Sequence, residues 1–452
     1  MAEPWHSPAQ LPMRPRLFEF QEEGRDWLRG RPARTGFLAD YMGIGKSVQA
    51  LAAAEGMSGL SRIDIICPAI AATDWERKFE QWWPGCTVPH QQVSYEHALS
   101  YRKEMRKSAG RGPGKKLLIL DEAHYLKNPA AKRTRAIYGG FCRGFGGIVD
   151  AYDYVWPMSG TPMPNGDPRE MWPHLRALAP YTIIDAVTGQ PMTYGAFSSR
   201  FCALIPDGFG LKFVGLQNVD EFKDILDRFM LQRGADVAGL PPLRFEVYPM
   251  RPKELPTDLA TAQWPGLSQA FQGIINAAGQ GDLDQQLKTQ LGTLRRLTGM
   301  LKVQATVDLV REEMRSGALD KVVVFGYHVD VVEEISQRLA DFGSSVIHGG
   351  VDSKARWENI DRFQLGSDRV IVCQITAASV NTTLTAAHNV IFAETDWVPE
   401  NNAQAAARCR RVDGNTRFPV LARIIAICGT IDELLQQAAR TKIARTLLLN
   451  QR

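Results

Sequence analysis

A short glycine-rich turn between an apolar run and a helix-forming run constrains this chain most. Residues 35–39 are largely apolar and are typical of a buried strand, whereas residues 48–54 are typical of a helix. The turn and the first helical positions contribute Gly43, Gly45, Lys46 and Ser47. Because backbone N–H groups at a helix N-terminus attract anions, this order predicts a phosphate-binding loop.

Each residue of this loop has a separate expected task. Gly43 and Gly45 would let the backbone N–H groups close around a β-phosphate, and Lys46 would reach the β- and γ-phosphates. The hydroxyl of Ser47 would be a ligand of Mg²⁺. The strict GxxxxGK[ST] pattern is not met, because Asp40 stands where its first glycine belongs. A Gly-Lys-Ser turn that binds no ligand is the alternative.

Two adjacent carboxylates form the second motif. Residues 116–120 are typical of a strand that delivers Asp121 and Glu122 at its C-terminal end, where ligands of α/β proteins bind. Asp121 could hold Mg²⁺ directly or through water, and Glu122 could polarise the water that attacks a γ-phosphate. The alternative is a pair of acids that stabilises a helix N-terminus.

Apolar runs alternate with helical patterns along most of the chain. Strands are predicted at 35–39, 63–67, 117–120, 154–158, 321–325, 370–373 and 389–393, and helices at 72–83 and 329–342. The strands fall into one group before Gly160 and another after Asp320, and helical patterns and turns prevail between them. This order predicts an α/β fold with two parallel-sheet lobes separated by a helical insertion.

Composition narrows the class of protein further. Of the 452 residues, 44% are hydrophobic and 23% are charged, which favours large folded cores over disorder. We expect no membrane span and no secretory signal, because no apolar run is long enough. Seven dispersed cysteines without a CxxC pair favour a reducing compartment over a zinc site or a disulfide framework. The net charge is only +4, but a basic stretch between Tyr101 and Arg135 could neutralise phosphates or form a solvated loop.

Taken in order over residues 17–414, the motifs resemble helicase superfamily two, and within it the Swi/Snf-type ATPases. The segments that carry the resemblance are 20–28 with Gln21, 38–50, 66–79, the DEAH sequence at 121–124, 158–165, 228–242 and 348–364. Residues 375–378 and 390–399 look most like the annealing-helicase (HARP-like) branch, and residues 404–411 match the QAxxRxxR pattern.

The resemblance implies two RecA-like lobes in tandem with a helical insertion between them. The implied boundaries are a first ATP-binding lobe at 1–166, a helical protrusion and linker at 167–250, and a second lobe at 251–452. It implies ATP and Mg²⁺ as cofactors, with Gln21 on the adenine. Arg408 and Arg411, three apart and so expected on one helix face, would be arginine fingers that stabilise charge on the transferring phosphate.

The resemblance also implies what the chain acts on. We expect an ATP-dependent double-stranded DNA translocase that remodels or anneals DNA, with forked or branched duplexes as further substrates. It would be a monomeric, minimal motor, cytoplasmic in a bacterium or a viral host and nuclear in a eukaryote. An RNA helicase or RNA-stimulated ATPase is the alternative within the superfamily, and an idle nucleic-acid-binding module is the alternative outside it.

Three local departures from the family pattern stand out. Tyr41 replaces the family's usual glutamate, a change that we do not expect to affect chemistry. Residues 412–414 read Val-Asp-Gly where the family has Ile-Gly-Gln, and residues 379–383 replace a glycine-rich turn.

Overall fold

Two parallel six-stranded sheets form the framework of the described part of the chain. The structure is a computed structural model that describes residues 15–31, 36–100, 102–105, 113–141, 146–206, 211–250, 285–378, 382–412, 418–428 and 432. The α/β class with two sheets is the one that the alternation of strands and helices predicts.

The first sheet has the strand order β3-β2-β4-β5-β1-β8. Its strands are β1 (Phe37–Leu38), β2 (Leu60–Cys67), β3 (His90–Ser94), β4 (Lys115–Asp121), β5 (Tyr154–Met158) and β8 (Met230–Leu231). The helices around it are α1 (Glu19–Gly30), α2 (Lys46–Glu55), α3 (Ala72–Trp82), α4 (Tyr95–Ser100) and α5 (Lys132–Tyr138). Met158 pairs with both Leu38 and Asp121, so the loops after β1, β4 and β5 meet at one edge of the sheet.

Side chains of β4 show why this sheet is buried on both faces. Leu117 and Ile119 pack into one hydrophobic cluster, and Leu118 and Leu120 pack into another on the opposite face. Successive side chains of a strand point to opposite faces, so an unbroken apolar run produces a strand with helices on both sides. The polar Asp121 comes where this run ends, at the sheet edge.

The second sheet repeats the arrangement with the order β11-β12-β10-β13-β14-β9. Its strands are β9 (Leu243–Met250), β10 (Val322–Gly326), β11 (Ser344–Ile347), β12 (Val370–Gln374), β13 (Asn389–Phe392) and β14 (Val420–Ile427). Its helices are α9 (Gln285–Arg315), α10 (Val329–Arg338), α11 (Ser353–Gln364), α12 (Ile375–Ala378) and α13 (Pro399–Ala406).

The segment between the sheets is not purely helical. It contains α6 (Trp172–Leu178), α7 (Tyr194–Phe201) and α8 (Val219–Phe229), and also an antiparallel hairpin of β6 (Cys202–Pro206) and β7 (Leu211–Leu216). Within the same segment β8 pairs with β1 of the first sheet and β9 pairs with β14 of the second. The domain boundaries after residues 166 and 250 therefore remain a prediction.

The strands predicted from unbroken apolar runs are confirmed. The run at 154–158 coincides with β5, and the predicted helix at 329–342 ends earlier, at Arg338, followed by a 3₁₀ turn at Ala340–Phe342. Among the residues that the structure describes, no helix combines the length and the apolar character that a membrane crossing requires.

Candidate nucleotide site in the cleft between the sheets

The loop after β1 has the backbone that the glycines predict. Gly43 and Gly45 have φ of +84° and +89°, in the left-handed region that residues with a Cβ rarely adopt. Gly45 directly precedes α2, of which Lys46 and Ser47 are the first two residues. The loop therefore points the N-terminal N–H groups of α2 into the cleft, which favours an anion there.

Lys46 lies folded back onto its own loop. Its Nζ donates to the backbone oxygen of Asp40 at 2.9 Å and to that of Tyr41 at 3.3 Å. Burial lowers the pKa of Lys46, while the charges of Glu122 and Asp40 oppose that shift. Neutral carbonyl groups thus hold the ammonium at the loop. A phosphate, as a charged acceptor, would bind it more strongly and could replace them.

Asp40 is fully buried and pairs with an arginine from the end of the insertion. Arg233 donates to both carboxylate oxygens, at 3.0 and 2.6 Å, and Gln49 of α2 donates to Asp40 at 3.0 Å. A buried carboxylate needs such partners, because an unpaired buried charge is strongly destabilising. The sequence placed Arg233 in the segment that leads into the second lobe but did not indicate that it contacts Asp40.

Asp121 ends β4 at the same edge of the sheet. Its Oδ2 accepts a hydrogen bond of 2.8 Å from Trp75 Nε1, and its Oδ1 accepts one of 3.1 Å from the backbone N–H of Glu122. Burial and the neighbouring charge of Glu122 raise the pKa of Asp121. A cation bound beside Asp121 would favour its ionised form.

Glu122 leaves the strand with an unusual backbone, φ +53° and ψ +50°. His124 Nδ1 lies 3.2 Å from Glu122 Oε2. Burial would raise the pKa of Glu122, but the hydrogen bond and charge of His124, together with Lys46 and Arg408, lower it to about 2. Glu122 is therefore ionised at neutral pH, as a group that polarises water must be.

A hydrogen-bonded route runs from this carboxylate into the second lobe. His124 Nδ1 lies 3.0 Å from Ser159 Oγ, which accepts from the backbone N–H of Thr161 at 3.1 Å. The side-chain amide of Gln404 donates to Thr161 Oγ1 at 2.8 Å, and both residues are buried. Since Gln404 belongs to α13, this bond joins the two lobes directly beside the carboxylates.

The two predicted finger arginines are placed differently. Arg408 is buried near Glu122 and Asp121, and burial and the charge of Arg411 lower the pKa of Arg408 to about 10. Arg411 instead donates to Thr383 within its own lobe. The prediction that both lie on one helix face is wrong, because α13 ends at Ala406, Arg408 lies in a 3₁₀ turn and Arg411 follows an extended Arg410.

Gln21 is buried in α1 against the phosphate loop. Its Nε2 donates to the backbone oxygen of Ile44 at 3.1 Å, and its Oε1 accepts from the backbone N–H of Phe18 at 3.1 Å. The structure thus brings Gln21, Lys46, Asp121, Glu122 and Arg408 around one cleft. Residues 379–381, 413 and 414 and the basic loop at 106–112 lie outside the described residues.

Two family models match the chain in the order of its two sheets. Residues 20–110 match the SNF2-related domain, and residues 302–413 match the helicase conserved C-terminal domain. The first match includes the phosphate loop, and the second ends just beyond Arg411. These two domains are those of an ATP hydrolase.

Curated relatives align along almost the whole chain at low identity. The mouse (Mus musculus) DNA annealing helicase and endonuclease ZRANB3 is 26% identical over 94% of this chain and 40% of its own length. The Drosophila melanogaster SWI/SNF-related matrix-associated actin-dependent regulator of chromatin subfamily A-like protein 1 is 26% identical over 94% of this chain and 55% of its own. The chain therefore spans about half the length of these relatives or less.

A solved structure of similar extent is the Sulfolobus solfataricus SWI2/SNF2 ATPase core in complex with dsDNA. It is 21% identical, covers 98% of this chain and 94% of its own, and has a TM-score of 0.41. The two matched domains, the two parallel sheets and the order of the motifs lead to one assignment. This chain carries the two matched domains of an SNF2-type ATPase core of helicase superfamily two, and it is distantly similar, at 26% identity, to an annealing helicase.

Proposed function

We propose that this chain is an ATP-driven motor that moves along double-stranded DNA and remodels or anneals it. The observation that carries the proposal is the hydrogen bond between Gln404 and Thr161, which continues through Ser159 and His124 to Glu122. It ties the position of the second lobe to the carboxylate that would activate water. A motor needs such a link, because hydrolysis must change the relation between its lobes.

The nucleotide would occupy the cleft edge of the first sheet. Gln21 would bind the adenine, while the backbone of Gly43 and Gly45 would surround the β-phosphate at the start of α2. Lys46 would exchange the carbonyl groups of Asp40 and Tyr41 for the β- and γ-phosphates. The side chains of Gln21 and Lys46 are already directed at this loop, so binding requires only local rearrangement.

The residues present also fit a magnesium ion. Ser47 and Asp121 supply a hydroxyl and a carboxylate, the hard oxygen ligands that Mg²⁺ prefers. Burial, and after it the charge of Glu122, raises the pKa of Asp121, and a bound cation would favour the ionised carboxylate. Mg²⁺ bound there would neutralise charge on the β- and γ-phosphates.

Hydrolysis would use groups from both lobes. Glu122 would orient and polarise the attacking water, and Arg408 and Arg411 would stabilise charge on the transferring phosphate. Arg408 already lies close enough to Glu122 for their charges to interact. Arg411 would have to leave Thr383 to reach the phosphate, a movement that would couple nucleotide binding to the second lobe.

DNA is favoured over RNA by the printed name of a relative. The mouse relative is named a DNA annealing helicase, and the chain aligns with it along 94% of its length. The described part of the basic stretch places Arg102, Lys103, Lys115 and Lys116 in the first lobe. We propose that these cations contact phosphates, so that binding depends little on sequence.

The test is steady-state ATP hydrolysis without nucleic acid and with duplex DNA, forked DNA, single-stranded DNA or RNA. We expect duplex and forked DNA to stimulate turnover most, and Lys46→Ala to abolish it as the control for contaminating ATPases. Stronger stimulation by RNA would favour an RNA helicase, and absence of hydrolysis with any of them would favour an idle binding module.

A further inference from the structure

Lys78 of α3 extends into the nucleotide site from outside the phosphate loop. Its Nζ donates to Ser47 Oγ at 3.1 Å and forms an ion pair of 2.5 Å with Asp74, one turn earlier in the same helix. The side chains of Lys78 and Asp74 are each only 14% exposed. The ammonium also lies 5.4 Å from the ring centroid of Trp75, which keeps its stem packed against the helix.

This cation is in contact with one proposed metal ligand and near the other. Trp75, three residues before Lys78, donates to Asp121 Oδ2 at 2.8 Å. The same helix thus contacts Ser47 through Lys78 and Asp121 through Trp75. The ammonium therefore supplies positive charge on the side of the cleft where Ser47 and Asp121 would hold Mg²⁺.

We propose that Lys78 is an internal counter-cation of the magnesium site, which binds Ser47 Oγ when the metal is absent and releases it when the metal binds. This inference rests on the proposed function, because it takes Ser47 and Asp121 as the metal ligands. An ammonium and a divalent ion repel each other strongly at the same hydroxyl oxygen. Lys78 thereby sets the free Mg²⁺ concentration that the motor needs.

Asp74 provides the place to which Lys78 withdraws. A lysine ammonium is a compact charge on a flexible stem, so it can leave Ser47 while it keeps its ion pair with Asp74. The two residues then have opposite effects on the metal. Lys78 competes with Mg²⁺, whereas Asp74 draws Lys78 away and also contributes negative charge.

The experiment measures metal binding as well as turnover. Mn²⁺ bound to the full chain in the presence of ADP is counted by electron paramagnetic resonance, and the Mg²⁺ dependence of ATP hydrolysis is recorded beside it. The variants are Lys78→Met, which keeps an apolar stem over Trp75, Lys78→Arg, and Asp74→Asn. Lys354→Met, an exposed lysine of α11, is the control for loss of one positive charge.

We expect Lys78→Met and Asp74→Asn to shift the half-saturating Mn²⁺ concentration in opposite directions. Lys78→Met should lower the half-saturating Mn²⁺ concentration by about tenfold, because a like charge close to a partly buried site is removed. Asp74→Asn should raise it, while Lys78→Arg and Lys354→Met should stay near the parent. A general structural defect would instead weaken metal binding in Lys78→Met and Asp74→Asn alike, and that outcome would overturn the proposal.

Ser47→Ala separates this inference from the proposed function. If the parent binds Mn²⁺ and Ser47→Ala weakens the binding, the metal site stands, and an unchanged half-saturation in Lys78→Met then refutes the role of Lys78 alone. If Ser47→Ala binds Mn²⁺ as the parent does, the metal ligands themselves are wrongly assigned, and the role of Lys78 fails with them. Melting temperatures of all variants identify any that do not fold.

Discussion

At the scale of single residues, Glu122 stands out because its backbone lies in the left-handed region. That conformation costs an L residue about 1–2 kcal/mol, and it is held here by the junction of β4 with the 3₁₀ turn at Ala123–Leu126. The conformation turns the side chain toward His124 and away from the continuation of the strand. Non-glycine residues with a left-handed backbone conformation are often found at functional sites. Glu122 is the proposed water-activating group.

We predict that Glu122→Gln retains ATP binding but loses turnover by about 10²–10⁴-fold, the usual contribution of a general base. The amide has a similar shape, but it carries no charge to polarise water. The measurement is steady-state ATPase with duplex DNA beside a titration with a fluorescent nucleotide. Glu80→Gln, at an exposed position of α3, is the matched control. Parental turnover in Glu122→Gln would remove the role assigned to this residue.

Site residues that lie in contiguous motifs could be predicted from the sequence, whereas those joined only by tertiary contacts could not. Asp121 and Glu122 directly follow one predicted strand and Lys46 follows another after a glycine-rich turn, so their meeting at one sheet edge could be foreseen. The contacts of Lys78 with Ser47 and of Arg233 with Asp40 join residues distant in the chain. No local pattern marks such pairs, because a surface lysine on a helix looks the same in sequence whichever way it points.

At the scale of elements, α3 connects the nucleotide site with the second lobe. Trp75 and Lys78 face Asp121 and Ser47, whereas Arg77 on another side of the helix covers the ring of Trp357 in α11. The guanidinium carbon lies 3.8 Å from the ring centroid, within the range of a cation–π contact. This contact closes the cleft at a second point, apart from the bond between Gln404 and Thr161.

We predict that Arg77→Gln and Trp357→Leu each lower DNA-stimulated ATPase by roughly 2- to 30-fold, as expected for a contact worth ~0.5–2 kcal/mol. The double variant should be no worse than either single one, because both remove the same contact. The matched control is Arg31→Gln, since Arg31 covers Trp27 at 4.3 Å within the first lobe. Additive losses in the double variant, or an equal loss in Arg31→Gln, would contradict a role in closure.

Prediction of elements succeeded for most apolar strands but missed the interior strand β14 and the strands at the sheet edges. The uninterrupted run of β5 was predicted to the residue, whereas β3, with the sequence His-Gln-Gln-Val-Ser, was missed. As an edge strand it has only one neighbour, β2, and its side chains are half-buried or exposed. An edge strand of the second sheet, β9, has mostly exposed side chains and was assigned to a linker for the same reason.

At the scale of the whole molecule, binding to duplex DNA should be mainly electrostatic. We predict that log K falls linearly with log salt, with a slope of about −0.9 for each phosphate neutralised. Lys103→Gln in the basic stretch should reduce the slope by roughly one unit if Lys103 contacts a phosphate. Fluorescence anisotropy on duplexes of several sequences measures both quantities. A strong sequence preference that persists at high salt would show that base edges are read instead.

Closure of the two lobes on each other decides whether the chain can hydrolyse ATP at all. The proposed phosphate loop belongs to the first sheet and both proposed finger arginines follow α13 of the second, so only tertiary closure brings them together. Contacts between described residues that already span the cleft include Gln404 with Thr161, Val412 with Gly43, Arg410 with Tyr41, and Arg77 with Trp357. Arg411 is not among these contacts, and its guanidinium donates to Thr383 of its own lobe.

We therefore predict that Arg411→Lys, like Arg411→Ala, loses most DNA-stimulated ATPase and leaves duplex binding within a few-fold of the parent. An arginine finger contributes roughly 10³–10⁵ in rate in related phosphoryl transfers, and lysine keeps the charge but lacks the planar fork that contacts two oxygens. Arg296→Ala, at an exposed position of α9 paired with Asp330, is the control from the same lobe. The measurements are turnover at saturating duplex DNA and a binding titration on each variant. Full stimulated turnover in Arg411→Ala would mean that Arg408 alone completes the site and that Arg411 keeps its place beside Thr383 throughout the cycle.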